Sequence, residues 1–250
     1  MINHISVVIM AKDAQDTIKE TLESLKEFKE VILYLNNSTD NTQSIASTYE
    51  NVKKITGDFL GFGPTKNLAA THASNDWILS LDSDEVILPN LLEELKNLEL
   101  SNKKELFILK RDNYFLNKEI KHSGWGNDRL IRIYNNTYHK FNQNMVHEFI
   151  IQREDSIKTN LKNSFKHNAV QDINQFLQKV MIYSDLAAKD KKTCFFLIVI
   201  IKAKFAFFKT YFLQLGILDG WRGFVIAISN FNGKFFKYTK RYINCKKTDK

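Results

Sequence analysis

The sequence predicts an α/β fold built on a mostly parallel sheet flanked by helices, with a helical extension at its carboxyl end. Three observations carry that expectation. Short continuous apolar runs alternate with segments of helical periodicity through the amino-terminal part, the arrangement of a doubly wound sheet. One of those runs, Trp77-Ile78-Leu79-Ser80-Leu81, spills into the acidic loop Asp82-Ser83-Asp84-Glu85. The last quarter then changes character, to aromatic and basic residues at helical spacing.

In order, Ile-Ser-Val-Val-Ile-Met at 5–10 suits a buried parallel strand. A polar stretch from Ala11 to Asp16 leads into a helix read through Ile18, Leu22 and Leu25. Residues 31–35 read as a second strand. Asn36-Asn37-Ser38-Thr39-Asp40 is turn chemistry opening a helix, with Asp40 or a neighbour as cap. A third strand is expected over 52–55. Gly57 to Asn67, with three glycines and one of only two prolines, makes an irregular loop with a helix opening near Pro64 or Thr65. A helix N-terminus beside Lys66 could receive phosphate, although the spacing fits neither a P-loop nor a dinucleotide fingerprint. Pro89 starts the next helix. Strands are expected over 106–109, 129–134 and 138–141, with Gly124-Trp125-Gly126 as a ligand-facing or mobile loop. The stripe Ile173, Phe176, Leu177, Val180, Met181 and Ser184 reads as the core face of a helix over 172–188. These elements divide the chain into a catalytic domain over 1–168 and a basic, aromatic helical region over 169–250.

Charge follows that division. Residues 186–250 hold 14 Lys/Arg against 3 Asp/Glu, a net of +11, and the preceding residues have a net of −3. The apolar run 194–201 is too short to span a bilayer. Beyond it, lysines interleave with phenylalanines and tyrosines, a mixture suited to an anionic membrane surface as well as to a helical subdomain with a solvated basic face. No nucleic-acid recognition module is visible, so nucleic acid is not expected. Cys194 and Cys245 are the two cysteines, and no disulfide framework is expected from them. No signal-peptide pattern opens the chain, so a cytoplasmic location is expected.

Carboxylate oxygens at a strand's carboxyl end suit a hard divalent cation, and such ions also hold phosphate oxygens. The order of Ile-Ser-Val-Val-Ile at 5–9, Ser38-Thr39-Asp40-Asn41-Thr42, Gly61-Phe62-Gly63 through Asn67, and Asp82-Ser83-Asp84 resembles family 2 glycosyltransferases. Val146-His147-Glu148, His167 and Leu218-Asp219-Gly220-Trp221 extend the resemblance toward the branch that builds lipopolysaccharide or lipooligosaccharide inner cores, often with glucose. The resemblance implies a GT-A fold, a nucleotide-sugar donor (UDP-glucose foremost), Mg²⁺ or Mn²⁺, and inversion at the anomeric carbon. It implies a lipid-linked glycan acceptor, met at the inner face of the cytoplasmic membrane.

Carried over by position, Ala11, Lys12 and Asp13 line the nucleobase and ribose pocket, and Lys66 and Asn67 lie near the donor. Asp82 contacts ribose or metal-bound water, with Ser83 in the same loop, and Asp84 is the direct metal ligand. Glu148 is the expected base and His147 the alternative; His147 or His167 could complete the metal shell. Arg129 and Arg132 suit either a phosphate contact or a solvated strand edge. Two positions depart from the family pattern. Leu35 stands where an Asp usually pairs with uracil, leaving Asn36 to supply an amide, and Asp13-Ala14-Gln15 replaces Asn-Glu-Glu. The alternatives are the same fold acting on a peptide or surface polymer, a nucleotidyltransferase, and a non-catalytic membrane-docking or nucleic-acid-binding protein.

Overall fold

A computed structural model describes residues 1–189 and 191–248. The chain forms two units, one of residues 1–111 with 128–167 and one of residues 112–127 with 168–250.

The first unit is organised by β1 (Ser6–Ala11), β2 (Val31–Leu35), β3 (Val52–Thr56) and β4 (Trp77–Asp82), which pair in parallel. Antiparallel strands β5 (Glu85–Ile87), β6 (Glu105–Phe115), β8 (Asp128–Asn135) and β9 (Ile157–Val170) complete the order β3-β2-β1-β4-β8-β6-β9-β5. The short β7 (Lys118–Glu119) pairs with the end of β6 and belongs, like the last residues of β6 and β9, to the second unit. This is a mixed α/β architecture, parallel through β3-β2-β1-β4 and antiparallel beyond β4. Lying at the centre, β1 and β4 are apolar on both faces, as strands covered on both sides must be.

Strand alternation sorts their side chains into two cores. Val7, Ile9, Leu33, Leu79 and Leu81 pack under α1 (Ile18–Glu23) and α4 (Pro89–Lys96), where Ile18, Leu22, Leu91 and Leu95 are fully buried. Val8, Ile32, Tyr34 and Ile78 pack on the other face under Ala69 and Ala70 of α3 (Phe62–Ala70) and against Tyr134. Each buried Leu or Ile contributes about 1.5–3 kcal/mol, so the sheet centre is fixed by apolar burial before any polar group acts. The parallel register places Ala11, Leu35 and Thr56 side by side at the carboxyl ends, with Asp82 beside Met10.

Several local expectations change. The helix after Gly61 opens at Phe62, two residues before Pro64, because Gly61 takes a backbone conformation (φ 107°) that turns the chain directly into it. Residues 138–141 are not a strand. Apart from one bridge, Phe141 to Ile150, they form a loop that reaches back to α3. The strand β9 has no counterpart among the expected elements, because Lys158, Asn160, Lys162 and Asn163 break up any apolar run.

In the second unit, α5 (Ile173–Ala188) and α6 (Phe196–Phe208) both pack on the long α7 (Gly220–Thr248). The expected core stripe of α5 divides. Val180 lies against Gly233, and Ser184 accepts a hydrogen bond from Lys240 at 2.6 Å, whereas Ile173, Leu177 and Met181 are 38%, 46% and 46% exposed. The partner helix α7 covers the side of α5 that carries Val180 and Ser184, and Phe176 packs on the Phe115 ring of β6. Packing α6 on α7 also brings Cys194 and Cys245 together across 51 residues, with Cα atoms 5.4 Å apart, and the two form a disulfide. The sequence alone does not pair the two cysteines, because spacing does not carry that contact. No helix among the described residues is long and apolar enough to cross a membrane.

Gly63 tests the packing of α3. A Cβ there would sit 2.0 Å from the carbonyl oxygen of Asn142, whereas one at Gly233 would meet only a methyl group at 3.6 Å. Gly63→Ala should therefore lose about 1–3 kcal/mol by overpacking, although helix propensity alone favours alanine by about 1 kcal/mol. Gly233→Ala should be neutral or stabilising. Urea melts of the two variants check the contrast.

Candidate active site

The acidic loop sits where β4 ends and turns at Ser83 and Asp84 into β5. Asp82 accepts a hydrogen bond from the Lys66 ammonium on α3 at 2.9 Å, and its other oxygen accepts from Arg132 on β8 at 3.0 Å. Lys66 also donates to Glu148 at 2.9 Å and lies over the Phe141 ring. Arg132 reaches Glu85 as well, and Glu85 accepts from the Asp82 backbone N–H at 3.0 Å and from Arg111 at 3.4 Å. Arg111 in turn holds Asp128 at 2.6 Å. Three cations and four carboxylates thus interlock, with Lys66, Arg132 and Glu85 almost wholly out of water.

Burial opposes charge on Asp82, but Lys66 and Arg132 outweigh it and hold the carboxyl well below the usual carboxylate range. Burial likewise opposes the Lys66 ammonium. Asp82 and Glu148 outweigh both that and the repulsion from Arg132, so its pKa is raised.

Arg132 owes its position to a β-bulge. The pairing of β6 with β8 passes from Phe107–Ile133 to Ile108–Ile131, which leaves Arg132 as the extra residue. It is buried rather than on a solvated edge, and its Nε has no hydrogen-bond partner. Arg129 is exposed and donates to Asn160. A cavity of about 440 Å³ opens beside the cluster, lined by Lys66, Asp82, Arg132 and Glu148 and, further out, by Arg129 and Lys158.

The other expected site residues fall into three groups. Asp84 and His167 come together, with Nε2 3.5 Å from the carboxylate, because β5 pairs with β9 and sets Glu85 opposite His167. Asp13 joins its loop to the next one. Its carboxylate accepts from the Thr39 N–H at 2.8 Å, its own N–H donates to Ser38, and Ala14 and Gln15 donate to Thr42 and Asp40. These contacts shape a rim beside Ala11, which is buried, and Lys12, which is exposed; Asn36 is buried and donates its N–H to the Ala11 carbonyl. Asn67 is occupied elsewhere, since its side chain both donates to and accepts from the Phe141 backbone at 2.9 Å. It braces the loop that carries Glu148. Ser83 offers its carbonyl to Thr21. His147 is exposed in a left-handed conformation (φ 60°) and joins neither Asp84 nor the Lys66 cluster.

Sequence reasoning missed the parts played by Glu85 and Arg111 and left that of Arg132 open. An arginine between Ile131 and Ile133 on an apolar strand, with a third carboxylate in the acidic loop, is the signal that could have paired them. For a metal, both Asp82 oxygens are taken by cations, whereas Asp84 and His167 pair with each other. Among the described residues, no group of three or more His, Cys, Asp or Glu side chains is placed to hold an ion by itself.

The sequence profile of the family described as glycosyl transferase family 2 matches residues 6–161. An uncharacterized glycosyltransferase of Rickettsia typhi is 27% identical over 94% of this chain and 86% of its own length. One from Rickettsia prowazekii has the same identity and the same coverage. Among solved structures, S. aureus TarS 1-349 in complex with UDP-GlcNAc aligns over 92% of this chain and 80% of its own, with 16% identity and a TM-score of 0.46. Glucosyl-3-phosphoglycerate synthase from Mycobacterium tuberculosis, with Mn²⁺ and UDP, aligns over 44% of each chain with 23% identity and a TM-score of 0.32.

Arg132→Met leaves Glu85 buried without its closest cation and should cost about 3–5 kcal/mol in urea unfolding, with part recovered in the double variant with Glu85→Gln. The depressed pKa of Asp82 gives a sign for pH. Its stabilisation is complete above the ordinary carboxylate value of about 4 and is lost only as pH falls below it. The stability gap between wild type and Asp82→Asn should therefore hold steady from neutral pH down to that value and shrink below it.

Proposed function

The chain belongs to glycosyl transferase family 2, and from that premise we propose that it transfers a hexose with inversion, glucose from UDP-glucose foremost, to a lipopolysaccharide or lipooligosaccharide core. The observation that carries this reading is the Lys66 ammonium shared by Asp82, at the end of β4, and Glu148, at the wall of the cavity. One cation couples the donor loop to the candidate base.

In the proposed reaction an acceptor hydroxyl in the cavity attacks the anomeric carbon and gives its proton to Glu148. The bond from that carbon to the diphosphate breaks, and the nucleoside diphosphate leaves. Lys66 holds the Glu148 carboxylate toward the cavity, and Asn67 holds the loop behind it through the Phe141 backbone. Asp84 and His167 are the residues that would hold a divalent ion, whose chemistry is Lewis-acid stabilisation of the departing diphosphate. The rim built by Asp13, Ser38 and Thr39 would receive the nucleoside. With Leu35 buried where a carboxylate usually reads uracil, base recognition falls to backbone groups and to Asn36.

The second unit supports a place at the inner face of the cytoplasmic membrane. Phe195, Leu197, Ile201, Phe205 and Phe208 are 72%, 67%, 54%, 55% and 48% exposed in and just before α6, among Lys202, Lys204 and Lys209. Large rings and aliphatic chains beside ammonium groups match the headgroup boundary of an anionic bilayer.

Enzyme assays and vesicle flotation test the reading. Glu148→Gln should lose transfer by about 100-fold or more while keeping donor binding, as expected for removal of a base, and Asp84→Ala should lose metal-dependent hydrolysis of the nucleotide-sugar. A panel of UDP-, ADP- and GDP-hexoses identifies the donor, and full activity in both variants would refute the site assignment. In vesicle flotation, serine at Leu197, Phe205 and Phe208 should release the full chain from anionic vesicles, and unchanged partitioning would refute the membrane reading.

A further inference from the structure

The second unit contains a cavity of about 470 Å³. Loop residues Ser123, Gly124 and Trp125, helix α6, the turn after it and helix α7 line it. Its charged lining is of one sign. Lys202, Lys209 and Lys234 are there and no acidic residue is, and among the described residues none of the three ammonium groups is paired with a carboxylate. Asp219, on the turn that leads into α7, is committed elsewhere. Its carboxylate accepts from the backbone N–H groups of Lys121 and His122 and from the Ser123 hydroxyl at 2.6 Å. Those bonds hold the loop that forms one wall.

The other walls are equally fixed. Lys209 and Thr210 lie in a π-helical turn, Lys209–Leu213, a wide turn that often marks functional positions. Thr210 is buried and accepts from the Asn230 amide at 2.9 Å, and the Gln214 carbonyl accepts from the Ser123 N–H at 2.9 Å. Beside the cavity, Lys237 has its pKa lowered by burial and then by repulsion from Arg241, Lys234 and Lys191. The neighbourhood therefore carries positive charge that the unit does not neutralise.

We infer that this cavity is a binding site for a phosphate-bearing ligand. Lys202, Lys209 and Lys234 all line the one cavity, and lysine binds phosphate as a point charge without demanding one orientation. The volume falls in the range of small-molecule sites and exceeds what a phosphate ion fills. The phosphate therefore arrives on a larger body, either the headgroup of an anionic lipid or a soluble phosphorylated sugar, and the exposed rings of α6 favour the lipid. The inference stands on the second unit alone and does not depend on the donor, metal or base assignments.

The test compares the full-length wild type with two triple variants of equal charge loss. One carries Lys202→Ala, Lys209→Ala and Lys234→Ala, exposed lysines that line the cavity; the other carries Lys179→Ala, Lys192→Ala and Lys204→Ala, equally exposed on the same unit, with Lys204 on α6 itself, and outside that lining. Each is titrated calorimetrically with inorganic phosphate and with glycerol 3-phosphate, and floated with phosphatidylcholine vesicles with or without phosphatidic acid. A cavity site predicts that the first triple binds the phosphate probe at least about tenfold more weakly than the second. If that difference appears only with phosphatidic acid vesicles, the ligand is a lipid headgroup; if it appears with the soluble phosphates, the ligand is a soluble phosphate ester. Equal losses in the two triples would show diffuse attraction only and overturn the inference, as would wild type that binds none of the three phosphate probes.

Discussion

A buried ammonium needs compensation, and in the first unit Lys66 imposes that need on everything around it. With 3% of its side chain in contact with solvent, it is tolerable only between Asp82 and Glu148. Asp82 is available because β4 ends there, and Glu148 because Asn67 pins the backbone of Phe141. Gly63 must lack a side chain for that loop to lie so close to α3. Burying one cation thus obliges strand end, helix and loop to meet at one point. The same arithmetic extends outward: Asp82 brings in Arg132, which needs the bulge in β8 to reach it, and Arg132 brings in Glu85.

Each charge in this network is costly alone and acceptable together, so the groups fix one another's positions. A transferase benefits from groups fixed in this way, because catalysis depends on reacting partners held in a set geometry. The network also divides labour among the carboxylates. Asp82 and Glu85 are held by arginine and lysine, whereas Asp84 turns away from them toward His167.

The second unit meets a different constraint. Three helices cannot bury as many large side chains as this one carries, and much of the apolar surface of α6 and of the turns before α7 remains outside. A disulfide joins Cys194, ahead of α6, to Cys245 near the end of α7. Exposed rings, unneutralised lysines and a cavity bounded by both helices occupy the same stretch of chain, so this unit's chemistry lies in what its own core leaves uncovered.

What the sequence determined by itself is what depends on neighbours along the chain. The apolar runs at β1, β2 and β4 announced buried parallel strands, Pro89 announced a helix start, and the acidic loop announced a strand end rich in oxygen ligands. Contacts between residues far apart were decided only by the fold. Arg129 and Arg132 look alike in sequence, but one bulge buries the second and leaves the first in solvent. Asn67 reads as a donor contact until α3 and the 141–150 loop converge and use up its amide. The helix stripe at Ile173, Leu177 and Met181 promises a core that a single partner helix cannot cover. Periodicity and propensity are local and additive along the chain. The pairing of buried charges, the reach of a bulge and the closure of a disulfide depend on where the whole sheet or helix bundle brings distant residues, and that is set by packing in three dimensions.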